Sequence, residues 1–120
     1  RGDFANYVFE AAKGSLRPDL IHFAPGWSIC VILASAGYPA GSHSGDEFSG
    51  LDSVSGARVF HSGTKRSASG GFETNGGRVL AIVAQGTTRA EAREAAYREA
   101  DKITFDGRQN RTDIGKMHFE

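Results

Sequence analysis

The chain has 120 residues, a mass of 12.8 kDa and a formal net charge of +0, from 14 basic and 14 acidic side chains. That length suits one domain with its own core, and 39% hydrophobic with 23% charged residues is ordinary for a globular protein. Charge balance excludes a global field that would draw in nucleic acid or an anionic membrane, and the apolar stretches are too short to span a bilayer.

The start carries no signal-peptide pattern. Residue 1 is arginine rather than methionine, which fits a processed or truncated start, and the cytoplasm is the default location. Residues 4–14 (FANYVFEAAKG) set Phe4, Val8, Ala11 and Ala12 near one face at helical spacing, with Gly14 as C-cap. Phe4, Tyr7, Val8 and Phe9 exceed what one narrow face can hide, which predicts an apolar surface meant for a partner. A brief strand is expected over residues 20–23, ended by Pro25-Gly26. Residues 27–34 (WSICVILA) are apolar almost without a break, the pattern of a central strand buried on both faces. Cys30, the only cysteine, lies inside that run, so no internal disulfide can form and a buried, inert thiol is expected.

Glycine clusters then punctuate the chain. Asp46-Glu47, beside the glycine-rich residues 41–45, reads as a solvated turn. Residues 58–65 (RVFHSGTK) alternate and predict one strand. Residues 72–74 and 78–84 are expected to pair as a hairpin around Asn75-Gly76-Gly77, because asparagine and glycine tolerate positive φ. The same turn can also present backbone amides beside the planar donor fork of Arg78, so a plain hairpin and the edge of an anion cradle both stand.

The helix predicted over residues 88–103 opens with a capping box, Thr88 to Glu91. Ala92, Ala96, Ala100 and Ile103 form a small-residue stripe suited to close packing on a sheet. Ile29, Val31, Leu33, Leu80, Ile82 and Ile103 are the expected core. After residue 107 the pattern turns irregular. The whole reads as α+β: an antiparallel β-sheet or small barrel-like domain with one main helix packed on it, a single domain over residues 1–120.

Individual motifs name no reaction. His22, His43, His61 and His118 are widely spaced, and no His, Cys and Asp cluster has metal-ligand spacing, so no metal site is expected. Ser35 and Ser62 lack a nucleophile-elbow context, there is no phosphate-binding Walker motif, and no catalytic residue is assigned. Phe60 and Phe72 beside basic residues could suit RNA, but the neutral charge argues against that partner.

Taken in order, CVILASAGYPAG, GDEFSGLD, VFHSGTK, TNGGRVLAIVA and AREAAYREADKITFDGRQNRTDIG resemble the C-terminal domain of glycinamide ribonucleotide synthetase, or phosphoribosylamine–glycine ligase. The likeness covers residues 4–116. Gly37-Tyr38-Pro39, His61-x-Gly63-Thr64, Thr74-x-Gly76-Gly77-Arg78-Val79 and Asp113-Ile114-Gly115 come at family spacing; the set is specific where each alone is common.

The resemblance implies a hybrid-motif domain at the end of an ATP-grasp ligase of de novo purine biosynthesis. In that reaction ATP phosphorylates the glycine carboxylate, and the amine of 5-phosphoribosylamine then displaces phosphate to form the C–N bond. ATP and magnesium would be held by the upstream ATP-grasp and N-terminal domains of the same chain, so no cofactor is expected here and the isolated chain should be inactive. The resemblance places this domain against the acceptor substrate, through Thr74, Asn75, Gly76, Gly77 and Arg78, through Gly37, Tyr38 and Pro39, and through His61, Arg111 and Asp113. Two departures weaken the tail contacts. Asn110 stands where the family commonly has tyrosine, and Lys116-Met117 stands where an arginine often follows. The alternative is a stand-alone binding or assembly module without catalysis.

Overall fold

A computed structural model describes residues 2–116, so Met117 and His118 lie outside the described residues. Strand β1 (Trp27–Ala34) alternates from Ser28 to Leu33: Ile29, Val31 and Leu33 are buried, while Ser28, Cys30 and Ile32 are exposed. It lies at one edge of a three-stranded antiparallel sheet in which β6 (Arg78–Gly86) is central and β3 (Arg58–His61) forms the other edge. The expectation of a central strand buried on both faces is therefore corrected. The run is apolar on both sides, but among the described residues only one side is covered. Cys30 changes with it: the thiol is exposed, not buried, because it occupies the uncovered side.

The covered side carries helix α2 (Arg89–Ala100), which packs on β6 and β1. Its capping box forms as expected, with Glu91 N donating to Thr88 Oγ1 at 3.2 Å and Thr88 N donating back to Glu91 Oε2 at 3.3 Å. Ala92, Ala96 and Ala100 are fully buried, so the helix approaches the sheet with no bulk between. Ile29, Val31, Leu33, Leu80, Ile82 and Ile103 are all buried with them.

A second three-stranded sheet orders β2 (Ser44–Glu47), β5 (Phe72–Asn75) and β4 (Thr64–Arg66). Here two expected pairings change. Residues 58–65 do not form one strand: the chain leaves the first sheet after His61 and enters the second at Thr64. Residues 72–75 and 78–86 do not pair as a hairpin either, since β5 and β6 belong to different sheets. Asn75-Gly76-Gly77 is a sheet-to-sheet corner, and its positive φ falls on Gly76, at +148°. Local turn chemistry is as expected; the partners are chosen by distant segments. Both sheets stay open, and the α+β antiparallel class holds.

Smaller corrections concern the ends. Residues 20–23 form no strand; Pro18–Leu20 is a single 3-10 turn closed by Ile21 N to Pro18 O at 3.0 Å. Asp46-Glu47 is no solvated turn but part of β2. Asp46 accepts from Thr74 Oγ1 at 3.1 Å and meets His43 Nδ1 at 2.8 Å. That pairing holds Asp46 below the usual carboxylate range and raises His43. Helix α1 (Phe4–Ala12) is capped by Asp3 and buries none of its residues, leaving Phe4, Val8 and Phe9 exposed. Among the described residues no helix is long and apolar enough to cross a membrane.

Leu80→Ala should lower stability by about 2–5 kcal/mol, because the central strand has no freedom to collapse around the lost side chain. A chemical-denaturation midpoint equal to the parent's would contradict this packing. Glu99, 2% exposed on α2, accepts from Lys102 Nζ at 2.8 Å and from Ser55 N at 3.0 Å. Lys102 above all, with the Ser55 and Gly56 amides, outweighs burial and takes its pKa from 4.5 to about 2. A lowered folded pKa stabilises above the unfolded value, so this contribution is present above pH 4.5 and disappears as pH falls towards 2. Glu99→Gln should cost about 1–3 kcal/mol at neutral pH and flatten the acid limb of a stability–pH profile.

Candidate functional site

A cleft of about 450 Å³ opens beside the end of the first sheet, where β1 finishes and β6 begins. Its first wall is sheet: Ile32 and Ala34 from β1 and Arg78 from the start of β6. The second is the Tyr38-Pro39 loop, which contains a cis peptide bond, and the third is the tail segment Gln109, Asn110 and Arg111.

Each wall is held by bonds remote in sequence. Ser35 secures the corner, its amide donating to Gly77 O and its hydroxyl to Gly76 O, each at 2.9 Å. Gln109 ties loop to tail: its Nε2 donates to Ser35 O at 2.8 Å and to Tyr38 O at 3.0 Å. Its backbone pairs with Ala34 in both directions, at 2.8 and 2.9 Å. The Tyr38 ring lies over Gly77, where a Cβ would come within 2.5 Å of Cδ2. Glycine is required at 77 for that close approach, not for a positive φ, which is absent there.

Helix α2 suspends the rest of the tail. Arg93 donates from Nε to Ile114 O at 3.1 Å and from Nη2 to Thr112 O at 2.8 Å. Tyr97 donates its hydroxyl proton to Arg111 O at 2.9 Å and accepts from Ile114 N at 3.1 Å. Arg111 forms a bidentate pair with Asp113, Nε to Oδ1 at 2.8 Å and Nη2 to Oδ2. The pairing raises Arg111 and lowers Asp113 from their ordinary values. Arg78 differs: it forms no ion pair among the described residues, and it lines the cleft exposed.

Of the residues expected at a site, Tyr38, Pro39, Arg78 and Arg111 come together in this cleft. Gly37, at φ +82°, turns the loop that carries Tyr38. Gly76 and Gly77 form the corner behind it, and Asp113 holds Arg111. Asn75 is exposed, its amide donating to Gly63 O at 2.8 Å. Thr74 is fully buried, accepting from Asp46 N at 3.0 Å. His61 lies elsewhere, lining a groove with Arg66 and Phe72, its ring 4.4 Å from that of Phe72 and its Nδ1 3.0 Å from Thr64 Oγ1. Sequence reasoning missed Gln109 and Ile32. Ile32 lies in an apolar run whose residue types do not mark its open side; Gln109 acts across more than seventy residues of chain and leaves no local signal. Among the described residues no group of three or more His, Cys, Asp or Glu could hold a metal ion.

Two open antiparallel sheets, a main helix packed on the first of them and a cleft walled by sheet, loop and tail define a small α+β domain. The chain belongs to the family described as phosphoribosylglycinamide synthetase, C domain, whose model matches residues 28–117. It is 42% identical over 112 residues to a phosphoribosylamine–glycine ligase of Caldanaerobacter subterraneus, covering 93% of this chain and 27% of that protein. A Vibrio vulnificus protein of the same name is 46% identical over 93 residues, 76% of this chain and 21% of the relative. The crystal structure of the Thermotoga maritima phosphoribosylamine–glycine ligase superposes with a TM-score of 0.75 at 34% identity, over 92% of this chain and 27% of that one. The chain thus spans about a quarter of the length of such relatives. Family membership does not favour the stand-alone module.

Gly77→Ala tests the corner. The new methyl must displace the Tyr38 ring, at a cost of about 1–3 kcal/mol, and should shift the Tyr38 ring resonances in an NMR spectrum. Unchanged stability and unchanged resonances would show that the ring does not rest on this glycine.

Proposed function

We propose that this chain, as a single domain over residues 1–120, ends a phosphoribosylamine–glycine ligase, and that its cleft walls the acceptor-substrate site. The observation that carries the reading is Arg78, an uncommitted guanidinium at the rim of a partly apolar cleft. A phosphoribosylamine offers a phosphate for such a fork, since guanidinium and phosphate match in a bidentate geometry. Tyr38, Pro39 and Arg111 then contact the acceptor beside it. Gly37, Thr74, Asn75, Gly76 and Gly77 shape the loop and corner, and Asp113 fixes Arg111.

The reaction joins glycine to 5-phosphoribosylamine in purine biosynthesis, in a cytoplasmic setting. This domain's part is to orient the acceptor so that its amine faces the activated glycine, an effect of positioning rather than of covalent chemistry. Among the described residues no group of three or more His, Cys, Asp or Glu could hold a metal ion, and the full-length reaction calls for magnesium and ATP. In this reading both are held by the preceding ATP-grasp and N-terminal domains of the same chain, and the 120-residue chain alone carries no turnover. His61, remote from the cleft, is the weakest of the proposed contacts and belongs to the groove beside Phe72.

In the full-length ligase, Arg78→Ala should lower kcat/KM for phosphoribosylamine by about ten- to a hundredfold, the loss of one charge-assisted phosphate contact of roughly 1.5–3 kcal/mol. The ATP term should stay nearly unchanged, and Arg78→Lys should recover only part, because an ammonium cannot reproduce the fork. Equal changes in both terms, or none in either, would show that Arg78 is structural and the cleft is not the acceptor site.

A further inference from the structure

Residues 36–42, which bring Tyr38 and Pro39 to the cleft, are hydrogen-bonded almost wholly to their own neighbours. Tyr38 N donates to Ser35 O at 3.3 Å, Gly41 N to Gly37 O at 2.9 Å and His43 N to Ala36 O at 3.1 Å. The Tyr38 ring lies over Gly77, which supports the loop from below without a directional bond. Among the described residues a single hydrogen bond ties this loop to a distant segment: Gln109 Nε2 donates to Tyr38 O at 3.0 Å. The same nitrogen donates at 2.8 Å to Ser35 O, at the base of the loop, a shorter bond than the one Tyr38 N makes there.

A side-chain amide has two N–H donors, and Gln109 gives both to these carbonyls. The side chain therefore holds the loop at base and tip together. Its own backbone needs no help from it, since Gln109 pairs with Ala34 in both directions, at 2.8 and 2.9 Å. Arg108 anchors the preceding position, with Nη1 donating to Ile103 O at 2.9 Å. Gln109 thus reaches the loop from a fixed stand, and two cleft walls meet through one amide: Tyr38-Pro39 and the tail that carries Arg111. Without that amide, water can satisfy the two carbonyls at the open cleft, so little stability is at stake. Alignment is at stake instead, because at a site that works by positioning a shift of about 1 Å can cost about a hundredfold in rate.

We propose that Gln109 is a positioning residue for the acceptor, its side-chain amide setting the Tyr38-Pro39 wall against Arg78 and Arg111. The proposal rests on the reading of this cleft as the acceptor site. Gln109 itself need not touch the substrate.

In the full-length ligase, Gln109→Ala should lower kcat/KM for phosphoribosylamine about tenfold, mostly through kcat, because Arg78 is untouched. KM for ATP and for glycine should stay at the parent's values. Gln109→Glu keeps the volume but removes both donors, so it should lose at least as much. In the 120-residue chain, the Tyr38 and Gly41 amides should exchange with deuterium several-fold faster in Gln109→Ala, with those of β1 and β6 unchanged. Parental exchange at the loop would overturn the tie itself, whatever the cleft binds. Faster exchange with parental phosphoribosylamine kinetics, while Arg78→Ala shows its loss, would overturn the positioning role and leave the acceptor site standing. Parental kinetics in Gln109→Ala and Arg78→Ala alike would overturn the site and this inference with it. Full activity in Gln109→Glu would show that bulk rather than hydrogen bonding matters, and would overturn the inference as well.

Discussion

Where Gly63 passes the Asn75-Gly76-Gly77 corner, two backbone segments lie closer than any side chain would permit. A Cβ on Gly63 would sit 2.7 Å from Arg78 O and 3.0 Å from Gly76 Cα. Gly63 N donates to Arg78 O at 2.8 Å, and its own carbonyl accepts from Asn75 N at the same distance. At this single crossing both chain segments change sheets, β3 to β4 and β5 to β6. Everything that builds the cleft follows from it. The corner carbonyls face Ser35, the Tyr38 ring settles on Gly77, and Arg78 emerges at the rim with its backbone fixed and its side chain spare.

Charge is distributed by the same logic of commitment. Arg111, Arg93 and Arg108 are each engaged with carboxylate or carbonyl oxygens, and those bonds hold the tail in place. Glu99 binds the loop at Ser55 to α2. Lys65 pairs with Glu73 across the second sheet at 2.8 Å. Against this background Arg78, like Arg58, carries no ion pair among the described residues, and it is Arg78 that lines the cleft between loop and tail.

The elements with local signals were legible in the sequence. The capping box, the alanine stripe and the apolar runs of strand residues each depend on neighbours within a few positions, and α2, β1 and β6 appeared where expected, whereas the alternation of residues 58–65 hid a change of sheet. The glycine corner was recognised as a turn, but a turn motif carries no information about which strands its arms will join. Ser35 and Gln109 make that choice from far along the chain. The apolar run of β1 misled about burial for a different reason. It is apolar on both faces, but among the described residues only one of them is covered. Tyr38, Pro39, Arg78 and Arg111 were reachable as a set through family resemblance alone, since nothing in their spacing brings loop, strand and tail together.

The alanine face of α2 has a consequence beyond packing. The residues next to that face, Arg93 and Tyr97, are the ones from which the tail hangs by its carbonyls at 111, 112 and 114. The height of the helix above the sheet is therefore also the height of one cleft wall. A bulkier residue at Ala92 or Ala96 would act as a shim, lifting α2 and carrying Arg111 outward with it. Core volume and cleft width are a single adjustable dimension in this domain, so the smallness of those alanines is a property of the site as much as of the core.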